Sequence, residues 1–343
     1  MRAMLLRGTE LSLEDIDRPT PGPGQVLARV RACGICGSDL HFARFGDEMI
    51  AATRGADPAG WSAMDLARGV VMGHEFVAEV VEAGPGAEVW TPGTRVTSVP
   101  VVPDPTSPRG VKSIGYSSEI PGAYGEYVVM AASLLLRVPD NVPDRVAATT
   151  EPCAVGLHAV REARMQRGER ALVLGAGPIG LMTLLWLKES GVEHVAVSEY
   201  AASRRELAAA LGADLVIDPK QGDVDAQLEQ AGGPPEVVFE CVGVEGTLAQ
   251  AMSLVARRGR VVVVGVCMTE DRIRPLIGIN KHLTVQFVLG YTAQEFDETL
   301  TAIGAGRVDP SPLVTRTVTL DELPDAFRAL SDPKECKVVL SFT

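Results

Sequence analysis

The sequence predicts an α/β fold in two parts, a β-rich domain and a doubly wound parallel-sheet domain, and three observations carry that reading. From Ala171 onward, the apolar runs Ala171–Leu174, His194–Ser198, Leu215–Ile217, Val237–Phe239 and Val261–Val264 alternate with helical stretches, one ending near Leu187 and one spanning Ser203–Leu211. Strands without polar alternate positions are buried on both faces, as in a parallel sheet covered by helices. Before residue 150 the pattern differs: Glu75–Glu82, Thr94–Val99 and Gly125–Met130 are short strands, and Pro19 and Pro21–Gly24 punctuate the first 32 residues as in hairpins. After a helical stretch at Phe296–Ile303, Leu313–Leu320 and Lys337–Phe342 read as strands again and are expected to rejoin the first domain. The expected division is 1–154 with 291–343 for the β-rich domain and 155–290 for the parallel one.

A chain of 343 residues is long enough for a core in each domain. With 46% hydrophobic and 22% charged residues it reads as soluble and globular. A net charge of −12 argues against a nucleic-acid or anionic-membrane partner. The uncharged run Ala171–Leu187 falls short of the ~20 residues of a membrane span, and its glycines and proline cluster at its start. The N-terminal apolar run is too short for a signal-peptide core. Six cysteines in a chain of this length form no disulfide framework, so a cytoplasmic location is expected.

Gly175-Ala-Gly177-Pro178-Ile179-Gly180 is a GxGxxG that follows a predicted strand and opens a predicted helix, the context a dinucleotide-binding Rossmann unit requires. The first Gly permits the turn, the second lets backbone approach a pyrophosphate, and the third lets helix and strand pack closely. Pro178 suits a helix's first turn, where exposed N–H groups attract phosphate. An acid about 20 residues on should bind the adenosine ribose; Glu199 stands there and favours NAD over NADP. Arg204 and Arg205 are the counter-signal, since a guanidinium could hold a 2′-phosphate. Cys241-Val242-Gly243 and Val264-Gly265-Val266 end later parallel strands, where backbone is expected to flank the nicotinamide. The bland alternative is a doubly wound domain with no nucleotide.

The stretch Gly34–His41 brings Cys36, Ser38, Asp39 and His41 together, and Gly73-His74-Glu75 and Glu151-Pro152 add an imidazole and two carboxylates. Zinc takes Cys, His and Asp/Glu ligands, and a catalytic site keeps one position open. Cys36, His74 and one or both of Glu75 and Glu151 are therefore the candidate ligands. Cys33-x-x-Cys36 could also be a redox pair or half a zinc ribbon, but no second Cys pair exists between Gly37 and Pro152. Alone, His74 would be a satisfied core histidine and Glu75 a strand-end carboxylate. Asp39 fits equally a partner for the His74 ring and an Asx-turn carboxylate.

At these residues the chain resembles the zinc-dependent medium-chain dehydrogenases, the family of alcohol, polyol and threonine dehydrogenases, over nearly its whole length. Phe239-Glu-Cys-Val-Gly243 adds to the likeness. The resemblance implies a GroES-like catalytic domain beside the Rossmann domain, one catalytic zinc, and hydride transfer between a secondary alcohol or polyol and NAD. It implies that Cys36 is a ligand and Cys33 a buried structural residue, and that Gly73-His74-Glu75 is the second ligand motif, with Glu75 either on the metal or just behind it. Glu151 stands where polyol dehydrogenases carry Glu-Pro; Cys153 is a tempting but poorer ligand. Ser38 is expected to take the hydroxyl proton and His41 to pass it to solvent. A homodimer or homotetramer acting on a small alcohol or ketone is implied. A zinc-free reductase and a non-catalytic dinucleotide-binding protein are the alternatives, and the intact ligand set opposes both. Two departures stand out. Val96–Ala123 lacks the four cysteines with which many relatives bind a structural zinc. The link between His41 and His74 is long, and its extra residues, about Phe45–Arg68, carry Phe45, Met49, Ile50, Trp61, Met64 and Leu66. A lid favouring bulky alcohols or a contact flap is expected there.

Overall fold

The structure, a computed structural model, describes residues 1–56, 64–107, 110–330 and 334–342, with side chains of 52–56 excepted. The chain falls into two compact units: Met1–Glu151 with Val314–Ser331 and Lys337–Thr343, and Pro152–Leu313 with Asp332–Cys336.

The first unit is built around the strand Gln25–Gly34, buried except at Gln25, Arg29 and Arg31. It pairs antiparallel with Glu75–Ala83, Tyr127–Ala131 and Lys337–Ser341. The register sets Gly34 opposite both Glu75 and Val339. Distant parts of the chain thus meet at the end of one strand. Gly34 has no room for a side chain: a Cβ there would collide with Glu75 Oε2.

One element of this unit departs from expectation. The stretch after Cys36 is a helix, Gly37–Ala56, with a break at Phe45 (φ −132°, ψ 31°). Its glycines and the break hide the helical period, but Asp39 in the first turn suits the positive end of the helix dipole. Met49 and Ile50 on the helix, and Met64 and Leu66 beyond it, are buried, and Gly46 lies so close to Leu66 that a Cβ would approach its Cδ1 to 2.8 Å. Trp61, named above for the lid, lies outside the described residues. In the cysteine-free lobe, Val101–Pro103 pairs antiparallel with Val111–Ser113. Lys112 Nζ there sits 2.6 Å from Asp104 and 2.5 Å from Glu119, holding the hairpin by charge.

The second unit carries a six-stranded parallel sheet in the order Leu215–Ile217, His194–Ser198, Arg170–Leu174, Val237–Glu240, Arg260–Val263, Thr284–Phe287. Five of these strands follow the apolar runs. The sixth, Thr284–Phe287, is half exposed and so carries no continuous apolar run. The chain returns to the first unit at Val314 rather than near residue 291. The helix Ala293–Gly304 belongs with the second unit because Glu295 ion-pairs with His158 (3.1 Å) and Glu298 with Arg161, both on the helix Thr150–Ala163. Among the described residues no helix is long and apolar enough to cross a membrane.

Candidate metal and cofactor site

Strand ends place the ligand atoms. Beyond Gly34, Ile35 N–H donates to Val338 O, and Cys36 follows at the foot of the helix. Gly73 has φ +94° and no space for a side chain, since a Cβ would come within 2.7 Å of Tyr124 and 3.0 Å of Cys33 Sγ. That tight turn delivers His74 and Glu75 to the start of their strand. One donor atom from each of Cys36, His74 and Glu75 lies within 4.8 Å of the others, the one such group among the described residues. His74 is 7% exposed and Glu75 0%. A thiol, an imidazole and a carboxylate converging in a largely buried pocket suit zinc.

Asp39 orients this group. Its Oδ2 accepts the Tyr124 hydroxyl at 2.6 Å and Cys36 N–H at 3.0 Å. Its Oδ1 accepts the Tyr116 hydroxyl at 3.1 Å and lies 3.4 Å from His74 Nδ1. Asp39 thus accepts Cys36 N–H as a turn carboxylate does and stands close to the imidazole, though His74 Nδ1 makes no hydrogen bond among the described residues. Burial opposes its charge, but His74 and these hydrogen bonds outweigh burial and hold its pKa low. Burial likewise opposes a charge on His74, but Asp39, with help from Cys36, raises its pKa well above the ordinary range. With Nδ1 turned to Asp39, Nε2 is the nitrogen left for a metal.

Glu75 is not a free carboxylate. Lys337 Nζ, 2% exposed, lies 2.8 Å from both of its oxygens and donates to Ile35 O at 3.0 Å. Burial disfavours the ammonium, but Glu75 overcomes it and raises the Lys337 pKa. Glu151, in the first turn of Thr150–Ala163, stands outside the three-donor group, though its charge also bears on Lys337. Cys33 is fully buried, and burial drives its thiol pKa far upward. Cys153 is buried too, its pKa pushed up to about 12 by burial, and it is not one of the three donors. Tyr116, Tyr124 and Lys337 were missed from sequence. The signal was there for Lys337, a lysine opening the apolar run Val338–Leu340.

Ser38 and His41 lie three residues apart on the helix, hence on one face. Ser38 Oγ lies 2.6 Å from the Tyr116 hydroxyl oxygen, which accepts the serine O–H because its own proton serves Asp39. Burial and the nearby Arg44 lower the His41 pKa, so the ring is neutral at pH 7 and able to take a proton. Its Nδ1 is buried with no hydrogen-bond partner among the described residues.

In the second unit the glycine-rich turn links the strand Arg170–Leu174 to the helix Pro178–Glu189. Gly175 has φ +90°, and a Cβ on Gly180 would collide with Gly175 O. Glu199 closes the next strand. Its carboxylate accepts Ala176 N–H at 2.9 Å and Ala201 N–H at 2.8 Å, which anchors it to the turn. Both arginines are engaged elsewhere: Arg205 pairs with Asp218 at 2.8 Å, and Arg204 donates to Glu335 O at 3.2 Å. Glu240 accepts Val242 N–H and Gly243 N–H at 2.8 and 2.9 Å. Gly243 abuts Val266, and Val242 packs against Gly175. The Gly175–Gly180 turn with Ile179, the segment Cys241–Gly243 and the segment Val264–Val266 therefore gather at the carboxyl ends of the parallel strands, where doubly wound folds bind nucleotides.

Two family models match the chain: an alcohol dehydrogenase GroES-like domain over residues 22–140 and a zinc-binding dehydrogenase over residues 178–305. (R,R)-butanediol dehydrogenase of Bacillus subtilis is 34% identical over 333 residues, covering 95% of this chain and 94% of that protein. The solved structure of 2R,3R-butanediol dehydrogenase from Bacillus subtilis superposes with a TM-score of 0.86 at 31% identity, covering 100% and 99% of the two chains. Sorbitol dehydrogenase of Gallus gallus is 30% identical, covering 97% and 94%. A zinc-binding dehydrogenase from Sinorhizobium meliloti, solved with NADP bound, gives a TM-score of 0.85 at 28% identity, covering 99% and 98%. The chain, with its Cys36–His74–Glu75 group and its glycine-rich nucleotide turn, belongs to the zinc-type medium-chain dehydrogenases and is an oxidoreductase.

Proposed function

We propose that this chain is a zinc- and NAD-dependent dehydrogenase that interconverts secondary alcohols or polyols with their ketones. The observation that carries the reading is the convergence of Cys36, His74 and Glu75 beside a helix bearing Ser38 and His41. A zinc held there supplies Lewis-acid polarisation of an alcohol or carbonyl oxygen. Cys36 and His74 are its protein ligands, and Asp39 fixes the His74 ring. Glu75, though clamped by Lys337, would be the carboxylate at hand for the zinc, with Glu151 the alternative that would complete the shell or hold its water. Ser38 receives the substrate's hydroxyl proton, and the neutral ring of His41 accepts it onward. The six free thiols fit a reducing, cytoplasmic setting.

Glu199 selects NAD. Its carboxylate repels a 2′-phosphate, while Arg204 and Arg205 are held by Glu335 and Asp218. Initial rates on secondary alcohols, diols and cyclic alcohols with each cofactor test the reading. NAD should give the higher kcat/KM, and Glu199→Ala should cut it by roughly 10- to 100-fold with NAD, the worth of charge-assisted hydrogen bonds to the ribose. A wild type that favours NADP would sink the assignment.

The same reading makes the protein a homo-oligomer, at least a dimer. Thr284–Phe287 is a sheet edge with open backbone groups, and Phe287 and Leu289 beside it are 70% and 82% exposed. A second copy covers such an edge by strand pairing. Sedimentation should show a dimer or larger assembly, and Phe287→Glu should lower its mass; a monomeric wild type refutes this.

A further inference from the structure

We infer that Tyr116 is a positioning residue for Ser38, fixing the hydroxyl that handles the substrate proton; this rests on the dehydrogenase reading above. Three features place it. Gly115 has φ +82° and packs so tightly that a Cβ would fall 2.8 Å from Gly73 O, which pins the backbone before Tyr116 next to His74. The Tyr116 ring then lies 5.0 Å from the His74 ring, tilted by 39°, and meets Phe42 edge-on at 5.8 Å. Its hydroxyl reaches Ser38 Oγ at 2.6 Å and Asp39 Oδ1 at 3.1 Å.

A serine hydroxyl on the first turn of a helix has several staggered rotamers open to it, and only some aim its oxygen toward a substrate. The Tyr116 O–H goes to the Asp39 carboxylate, which can only accept, so the Tyr116 oxygen takes the Ser38 O–H at 2.6 Å and holds the rotamer. The lone pairs of Ser38 Oγ are thereby left to face the substrate's hydroxyl proton. The bond to Asp39 keeps the Tyr116 hydroxyl itself in place, so one phenol ties the proton-handling serine to the carboxylate that orients His74. Its effect on proton handling runs through Ser38 and should vanish once Ser38 is gone.

A double-mutant cycle in the zinc-loaded full chain tests this. Tyr116→Phe keeps the ring packing on Phe42 and His74, so zinc content, the unfolding midpoint and the KM for NAD should match wild type. Its kcat for alcohol oxidation should fall about fivefold, the effect of one lost hydrogen bond, and its solvent deuterium isotope effect should rise as proton transfer becomes rate-limiting. Ser38→Ala should lower kcat by ~10²-fold or more, and adding Tyr116→Phe to it should change kcat by less than about twofold if the two act as a unit. Losses that multiply in the double variant, or an unchanged Tyr116→Phe, overturn the inference. A wild type that turns over no alcohol overturns the dehydrogenase reading and this inference with it; an active wild type with multiplicative losses overturns this inference alone.

Discussion

Cys36→Ala should leave a folded protein with far less than one zinc per chain and with turnover reduced on the order of 10³-fold or more. The site loses its only thiol donor among the three that converge, and with the metal goes several kcal/mol of Lewis-acid stabilisation at the reacting oxygen. Metal analysis beside initial rates decides it: full zinc with full activity in the variant would remove Cys36 from the ligand set. The wild type carries a pH signature of the same site. Asp39 overcomes burial to raise the His74 pKa, so in chelator-stripped protein the ring holds a proton at neutral pH. Zinc must displace that proton. Zinc affinity should therefore climb as pH rises toward the raised His74 pKa and weaken as pH falls below it. Affinity flat across that range would contradict the geometry.

Lys337→Met should cost about 3–5 kcal/mol of stability, the usual consequence of removing one partner of a buried ion pair. Glu75 has no exposed surface, and both its oxygens rest on Lys337 Nζ. The double variant Glu75→Gln/Lys337→Met should recover most of the loss, because no charge is then stranded. Denaturant unfolding of zinc-free protein separates this from metal effects. A shift under about 1 kcal/mol in the single variant, or no recovery in the double, would show that the pair is not the support the distances indicate. The same clamp bears on the metal, since a carboxylate shared with an ammonium is a weaker ligand than a free one.

Cys36, His74, Glu75, Ser38, Asp39 and His41 were legible in the sequence because each sits in a short run where ligand-type residues crowd beside glycine. Five parallel strands were legible because strands buried on both faces leave no polar alternation. Tyr116, Tyr124 and Lys337 were not, because residues far apart in the chain meet there: Lys337 arrives on a strand paired with Gln25–Gly34, while Tyr116 and Tyr124 come from turns packed against Met72 and Gly73. Gly34 opposite both Glu75 and Val339 is the clearest case. The helix Gly37–Ala56 was hidden by its glycines and by the break at Phe45. The strand Thr284–Phe287 was hidden because an edge exposes what a central strand buries. Glu151 stood beside Glu75 as a candidate ligand on its Glu-Pro motif and the family resemblance, and the structure brings only Glu75 within the three-donor group.

The hairpin Val101–Ser113, latched by Lys112 between Asp104 and Glu119, changes what this protein asks of its surroundings. A lobe closed by four thiolates draws on a cell's zinc supply and opens when oxidants consume the sulfurs. A lobe closed by an ammonium between two carboxylates is indifferent to both. Its vulnerability is to ionic strength, since partly exposed pairs are screened by salt. On the proposed reading the two needs are separate: metal would serve the chemistry, and salt the poise of the lobe.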